Sequence, residues 1–220
     1  MRRYLPFAIV AIVAILAVGG GTYLYHAKAS SLSGSRIHGE SAETADSDHV
    51  LGPAEARVVL EEYGDFQCPP CGHLSDPINE LQKEYNIRLV FREFPLVDFH
   101  KHALEAAYAA EAAGLQGHFW QMHDLLYRQQ PIWSSAPDVR QLFDHYASLM
   151  GLDVERFNRD MDNERVHQRV AADQKKGESL GVKNTPTIFL NAQEIDRMHL
   201  NPAGLHDAIE AAIKTNKPSS

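Results

Sequence analysis

The chain has 220 residues, of which 44% are hydrophobic and 23% are charged, a composition typical of a globular protein rather than a disordered one. The 21 basic and 29 acidic side chains give a formal charge of −8, and without a basic run to hold a phosphate backbone the chain is not expected to bind nucleic acid. Its two cysteines, Cys68 and Cys71, are too few for a multi-disulfide scaffold or a zinc site of four thiolates.

Residues 1–28 are predicted to be a membrane anchor or a signal segment. Met1-Arg2-Arg3 is basic, and the 21 residues from Leu5 to Tyr25 carry no charge. As a helix this run would span about 31 Å, close to the hydrocarbon thickness of a bilayer, with the arginines on the cytoplasmic side. The alternative is a cleaved signal peptide, because Ala27-Lys28-Ala29 has the form of a cleavage site. Both alternatives place the rest of the chain outside the cytoplasm.

A flexible linker is predicted for residues 29–50, which are rich in serine, glycine and acidic residues. The folded domain is predicted over residues 51–216. A short apolar run from Val58 to near Tyr63 predicts its first strand, and a helix follows from the CPPC segment to about Tyr85. Within this helix, Asp76-Pro77 predicts a kink or a fresh start.

The second strand is predicted at Ile87–Phe94, so that the first strand, helix and second strand form a right-handed parallel crossover. Residues 98–181 are predicted to be a helical block, because their apolar residues recur at helical spacing. A third strand at Thr187–Leu190 and a short edge strand at Gln193–Met198 follow. A last helix begins at Asn201-Pro202, an N-cap and first-turn pair.

The candidate chemistry lies at Cys68 and Cys71. Three positions apart at a helix start, the two sulfurs lie on one side and within disulfide reach. Because a bridge across so short a loop removes little chain entropy, its use is predicted to be chemical rather than structural. Cys68 would lie at the N-cap, before Pro69, where free amides and the helix dipole favour a thiolate. Cys71, one turn further on, is predicted to be the more buried, resolving partner.

Two other uses of the cysteine pair are possible in principle. A c-type haem site requires C-x-x-C-H, but here Gly72 intervenes and His73 comes one residue late. A copper or zinc site would combine both thiolates with a histidine, and the chain has 12 histidines but no recognised metal-binding motif. No metal and no cofactor is therefore predicted, and a copper-binding module remains an alternative.

The run from Glu61 to Cys71, EEYGDFQCPPC, resembles the active-site strand and loop of DsbA-like thioredoxin-fold thiol:disulfide oxidoreductases, especially their membrane-anchored or secreted branch. The resemblance covers about residues 50–214 and includes further matching segments: Phe91–Leu96, Gly117–Trp120, Gly181-Val182 and Thr185-Pro186-Thr187. It implies an α/β thioredoxin fold with a helical insertion between the second and third strands.

The resemblance also implies roles for several residues. Pro186 corresponds to the cis-proline that faces the disulfide, and Thr185 shapes this contact; with Pro69 and Pro70 they are the candidate substrate-binding residues. Glu62 corresponds to the buried acid that relays a proton to or from Cys71, with Arg92 as a possible charge partner. Adjacent Glu61 and Glu62 point to opposite faces of a strand, so only one of them can be buried.

The sequence departs from the family pattern at two places. Between the cysteines the family commonly has Pro-His or Pro-Tyr, whereas this chain has Pro69-Pro70. Pro70 lacks an N–H and a positive charge, so we predict a less acidic Cys68 and a less oxidising disulfide than in the histidine-containing relatives. The turn after the third strand has Asn191-Ala192 where the family often has glycine, which leaves its geometry open.

The predicted function is an extracytoplasmic thiol–disulfide oxidoreductase, most simply one that forms disulfide bonds. Its expected location is the bacterial cell membrane, with one span and a periplasmic or extracellular catalytic domain, or the periplasm after signal cleavage. Expected partners are protein substrates with cysteine thiols and, by resemblance, a quinone-linked membrane oxidant or reductant; a monomer is expected. The alternatives are a thiol reductase in metal-site or cytochrome assembly and the copper-binding module.

Overall fold

The computed structural model describes residues 49–215. The predicted anchor or signal segment, residues 1–28, and the linker as far as residue 48 lie outside the described residues. Across residues 49–215 there is no helix with the length and apolar character needed to cross a membrane.

A five-stranded sheet in the order β1-β3-β2-β4-β5 forms the centre of the domain. Its central pair, β2 and β3, is parallel and the other neighbours are antiparallel. The strands are β1 at His49–Leu51, β2 at Val59–Gly64, β3 at Arg88–Glu93, β4 at Thr187–Leu190 and β5 at Gln193–Glu194. The predicted strand–helix–strand unit is thus present, because a helix connects β2 to β3 and these two strands pair in parallel.

Eight α-helices surround this sheet within the described residues. They are α1 at Pro69–Tyr85, α2 at Ala103–Gly114, α3 at Phe119–Arg128, α4 at Gln130–Trp133, α5 at Arg140–Leu149, α6 at Val154–Met161, α7 at Glu164–Ser179 and α8 at Pro202–Thr215. Helices α2 to α7 lie between β3 and β4, where the helical insertion was predicted. As expected, α8 begins at Pro202, and the Asn201 side chain accepts a hydrogen bond from Gly204 N.

Two of the predicted boundaries near the sheet edges are wrong. His49 and Val50 were assigned to the linker, but they belong to β1, which pairs with β3. The reason is tertiary: His49 stacks on Phe119 and binds Glu111, contacts that a three-residue pattern cannot reveal. The edge strand predicted at Gln193–Met198 ends at Glu194, and Arg197–His199 is a 3₁₀ turn in which Asp196 accepts from Met198 N.

Of the two alternatives predicted at Asp76-Pro77, a kink or a fresh helix start, the fresh start is wrong. Helix α1 is a single helix from Pro69 to Tyr85, with Pro77 inside it. Proline removes one backbone hydrogen bond, but buried Leu74, Ile78 and Leu81 hold the helix against the core on both sides of this position.

The two faces of the sheet carry different sets of side chains, because successive residues of a strand point in opposite directions. On the face that we call the α1 face, Leu60 and Phe91 pack in one core cluster with Leu74 and Ile78 of α1. On the opposite face, the α7 face, Tyr63, Phe94, Val182 and Phe189 form a second cluster. The cysteines of α1 therefore belong to the α1 face.

Candidate active site

The cysteine pair begins α1 in the predicted way. Cys68 is the N-cap, in an extended conformation (φ −75°, ψ 117°), and prolines occupy the first turn. The Cys68 side chain is 5% exposed and Cys71 is fully buried, whereas Pro69 and Pro70 are exposed. Both cysteines are free thiols in this structure. The sulfur of Cys68 is thus the one next to the surface.

Several groups stabilise the thiolate of Cys68 and lower its pKa to about 6. The largest effect is a hydrogen bond from the Cys71 thiol; the side chain of Thr185 and the backbone N–H of Cys71 add to it, while burial and the charge of Asp65 act against it. Since neither proline can donate, the Cys71 amide is the first available in the helix. Burial, the hydrogen bond with Cys68 and the charge of Glu62 raise the pKa of Cys71 well above that of an ordinary thiol.

Thr185 and Pro186 lie beside this pair, where the resemblance places them. The Thr185–Pro186 peptide bond is cis. The Cys68 thiol donates to the backbone carbonyl of Thr185 at 3.3 Å. Thr187, the next residue, starts β4 and pairs with Tyr63 of β2, so the segment is fixed at the end of the central strands.

Glu62 is the buried member of the two adjacent glutamates. It is 2% exposed, and its Oε1 has no hydrogen-bond partner among residues 49–215. Burial, together with the negative charge of Cys68, raises the pKa of Glu62 to about 8. The neutral carboxylic acid is therefore the main form of Glu62 at pH 7.

Arg92 is not the charge partner of Glu62. The register places Arg92 opposite Tyr63, whereas Glu62 lies opposite Phe91, so the two side chains project from different faces. Arg92 donates instead to Glu61 at 2.8 Å and to Asp173 at 3.1 Å, both on the α7 face. The sequence prediction for this pair was wrong because it did not include the register.

Three polar side chains that were not predicted to have a role hold the active-site turn. Gln130 donates from Nε2 to the carbonyls of Phe66 at 2.6 Å and Cys68 at 2.9 Å. Gln67 accepts from His102 N at 2.6 Å and donates to Ser134 O at 3.0 Å.

Asp65, the third of these side chains, is buried just after β2. It accepts from Gln67 N, Leu96 N and His100 Nδ1, at 2.7, 2.8 and 2.7 Å respectively. Asp65 and Gln67 belong to the run that carries the family resemblance, but apart from the bond between Asp65 and Gln67 N their partners lie in distant segments, so the local sequence did not indicate these roles.

Two further buried polar groups are the hydroxyl of Tyr127, which is near Cys71 and Glu62, and the carboxyl of Glu93, which is near Glu111 and Asp173. The hydroxyl of Tyr127 and Oε1 of Glu93 have no hydrogen-bond partner within the described part of the chain. Burial raises the pKa of both groups well above the ordinary range, and the charges of Cys71 and Glu62 act in the same direction on Tyr127. The surroundings of Cys71 therefore favour neutral forms.

No group of three His, Cys, Asp or Glu side chains that could hold a metal ion is present among residues 49–215. His73, the histidine nearest in sequence to the cysteines, is exposed on α1.

Comparison with known proteins places the chain in a family. A family model described as Thioredoxin matches residues 44–211. The chain belongs to this thioredoxin family. The thioredoxin-family domain is similar to a thioredoxin-like oxidoreductase from Silicibacter pomeroyi, with 27% identity and a TM-score of 0.61, over 76% of this chain and 92% of that one.

Other solved structures relate this thioredoxin-family chain to DsbA-like proteins. BdbD from Bacillus subtilis has 25% identity and a TM-score of 0.66, over 79% of this chain and 97% of that one. The α-DsbA1 protein of Wolbachia pipientis, at 17% identity and a TM-score of 0.65 over 78% and 93% of the two chains, shares the fold. The predicted DsbA-like thioredoxin fold with a helical insertion is confirmed, and the solved structures that the chain resembles include proteins named as thiol–disulfide oxidoreductases.

Curated relatives match the same region as part of longer proteins. A Na(+)/H(+) antiporter NhaA 3 from Salinispora tropica is 41% identical over 169 residues, and NhaA 1 from Salinispora arenicola is 44% identical over 149 residues. These matches cover 76% and 67% of this chain but only 24% and 22% of the antiporters. The chain thus spans about a quarter of the length of the curated relatives that it matches.

Proposed function

We propose that the protein introduces disulfide bonds into protein substrates outside the cytoplasm, by exchange at Cys68 and Cys71. The observation that carries the proposal is the unequal pair of thiols: Cys68 is stabilised as a thiolate next to the exposed Pro69 and Pro70, and Cys71 is fully buried and kept protonated. A stabilised thiolate makes the reduced form favourable and the disulfide a stronger oxidant.

The exchange follows from this geometry. A substrate thiolate attacks Sγ of Cys68 in the oxidised protein, and the bond between Cys68 and Cys71 breaks. Cys71 leaves with the electron pair and takes a proton from Glu62, the neutral acid on the same face. A second substrate thiolate then attacks the substrate sulfur of the mixed disulfide, and Cys68 leaves as a thiolate. Two electrons pass from the substrate thiols to the protein.

The position of substrates in this proposal follows from exposed and buried groups around Cys68. Pro69 and Pro70 are exposed beside the sulfur, and Thr185-Pro186 lies against it. We propose that these four residues contact the substrate chain during attack. Thr185 also stabilises the Cys68 thiolate when it leaves, because its side chain lowers the pKa of Cys68.

We place the domain outside the cytoplasm, attached to the membrane by residues 1–28 or released by their cleavage. Disulfides persist in oxidising compartments, which supports this location. Similar domains within proteins named Na(+)/H(+) antiporters also support a position at a membrane. A quinone-linked membrane oxidant would then restore the Cys68–Cys71 disulfide. An anchor would raise the local concentration of the domain near this oxidant.

The reduction potential of the Cys68–Cys71 pair tests the proposal. The full chain is equilibrated with glutathione buffers, and the disulfide fraction is measured by mass spectrometry after acid quenching. We expect an oxidising value, between about −120 and −200 mV. In addition, reduced Cys71→Ser should accumulate a mixed disulfide with a disulfide-containing peptide, and the matched variant Cys68→Ser should not.

Other outcomes select the alternatives. A potential near about −270 mV would favour the thiol reductase. The absence of a reversible couple, together with stoichiometric Cu(I) binding that is lost in Cys71→Ser, would replace the enzyme with the copper-binding module.

A further inference from the structure

A buried carboxylate lies directly before the cysteine pair. Asp65 is 1% exposed, and its backbone carbonyl accepts from Cys68 N at 3.0 Å, so the side chain and the nucleophile belong to one turn. Its charge is among the influences on Cys68, where it opposes the thiolate. A buried carboxylate needs compensation, because removing it from water is costly.

The compensation comes from a separate segment of the chain, the turn formed by Leu96–His100 between β3 and α2. Phe99 N and His100 N both donate to Leu96 O at 2.9 Å, which closes the turn on itself. Both of its ends then bind one oxygen: Leu96 N donates to Asp65 Oδ2 at 2.8 Å, and His100 Nδ1 lies 2.7 Å from the same atom.

The contact between His100 and Asp65 is an ion pair whenever the imidazole is protonated. In that state, the positive charge of His100 offsets the negative charge of Asp65 in the neighbourhood of the Cys68 sulfur. The CPPC segment itself contains no cationic residue, since Pro69 and Pro70 separate the cysteines. A protonated His100 therefore places beside Asp65 a positive charge that the active-site dipeptide does not contain.

We propose that Asp65 and His100 are a positioning pair for thiol–disulfide exchange, which anchors the Leu96–His100 turn beside the active-site turn and balances the charge near Cys68. The inference rests on the proposed function, because it concerns the reactivity of the same sulfur. The same turn presents Phe99, which is 81% exposed, so the pair also fixes an apolar side chain close to the site.

Charge balance predicts effects of opposite sign for the two partners. His100→Asn can keep an N–H donor towards Asp65 but loses the positive charge, so the pKa of Cys68 should rise by about half a unit, and the equilibrium constant for oxidising glutathione should fall by a factor of about 3. Asp65→Asn removes the negative charge and should change both quantities in the opposite direction. The double variant should return close to the parent.

The experiment uses the full chain and two readouts. The thiolate of Cys68 is titrated by its ultraviolet absorbance in the reduced protein, and the exchange equilibrium is measured against glutathione. The matched control is His145→Asn, the same substitution at an exposed position of α5, which should leave both quantities unchanged. If Asp65→Asn does not fold, the comparison of His100→Asn with His145→Asn still tests whether His100 influences Cys68.

Two results would overturn the inference: shifts of the same sign in both single variants, as a purely structural role would produce, or a shift in His100→Asn no larger than in His145→Asn. Failure of the proposed function looks different. In that case the parent protein would show no reversible couple with glutathione, while the thiolate titration would still report the charge balance.

Discussion

Glu61 and Glu62 are chemically identical neighbours with opposite electrostatic surroundings. Glu62 is enclosed on the α1 face, where burial raises its pKa to about 8. Burial also raises the pKa of Glu61, but hydrogen bonds and charges from Lys176 and Arg92 on the α7 face lower this pKa overall. One step along a strand thus separates a neutral carboxylic acid from an ionised partner in a charge network.

We expect Glu62→Gln to stabilise the fold at neutral pH and to slow the exchange. Below pH 4.5 the carboxyl is protonated in both folded and unfolded chains; between pH 4.5 and 8 only the unfolded chain releases the proton, so folding stability falls with rising pH. Removal of the acid should therefore add about 3 kcal/mol at pH 7 and almost nothing at pH 4. Because glutamine cannot supply a proton, release of Cys71 from the disulfide during exchange should slow by about 100-fold.

Urea unfolding at pH 4 and pH 7 and stopped-flow exchange kinetics measure these effects. Glu61→Gln is the matched control, and it should lose stability relative to the parent as the pH rises from 4 to 7, because the pKa of Glu61 is lowered in the folded state. Equal pH dependence in the two variants would contradict the assignment of Glu62 as the neutral acid.

At the scale of elements, α7 approaches the sheet closely at Gly177. A methyl group on this residue would lie 2.8 Å from the rings of Phe94 and Tyr63, below any normal contact distance. The two rings meet edge to face with centroids 6.2 Å apart, so neither can move without disturbing the other. Packing on the α7 face therefore requires glycine in the interior of a helix, where it is otherwise unfavourable.

Gly177→Ala should destabilise the protein by about 1 to 2 kcal/mol, although alanine is the better helix former by about 1 kcal/mol. The overpacking cost exceeds the gain in propensity because both opposing rings are buried. The free energy of unfolding in urea measures the difference. Ser179→Ala, at an exposed position of the same helix, should be nearly neutral, and an equal effect at both positions would refute the packing argument.

Across the whole molecule, the sheet separates the exchange site from an ion network. On the α1 face lie the cysteines and the neutral acid, whereas on the α7 face Arg92 joins Glu61 to Asp173, and Asp173 also binds Arg169 at 2.7 Å. This network ties β2 and β3 to α7, since Asp173 additionally accepts from Glu93 N at 3.2 Å. Substitutions within this network are therefore expected to change stability with little effect on the thiol–disulfide exchange.

Arg92→Met should cost about 2 to 3 kcal/mol of stability, because Glu61 and Asp173 each lose a charged hydrogen-bond donor and keep only Lys176 and Arg169, respectively. The equilibrium constant for exchange with glutathione should remain within a factor of about 2 of the parent value, because Arg92 lies on the face of the sheet opposite the cysteines. A factor of about 2 corresponds to under about 0.5 kcal/mol. Lys176→Met, which removes a half-exposed partner of Glu61, should cost under about 1 kcal/mol. A large change in the glutathione equilibrium in Arg92→Met would show that the two faces are coupled.

Sequence alone was sufficient for the elements whose signal is local. The apolar run of β2, the helical spacing of the insertion and the prolines at the start of α1 and α8 each reflect the conformational preference of a few adjacent residues. The C-x-x-C spacing, the N-cap position of Cys68 and the burial of one glutamate of the pair follow from the same local geometry. The family resemblance extended this to Pro186, which lies far from Cys68 in the chain.

Only the tertiary structure revealed the features that depend on contacts between segments far apart in the chain. His49 belongs to a strand because β3 and Phe119 lie beside it, and Arg92 binds Glu61 rather than Glu62 because the strand register sets which side chains share a face. The hydrogen bonds of Asp65 with Leu96 and His100, and those of Gln130 with Phe66 and Cys68, link residues 31 to 64 positions apart. Such contacts leave no periodic signal, since each depends on the three-dimensional path of the intervening chain.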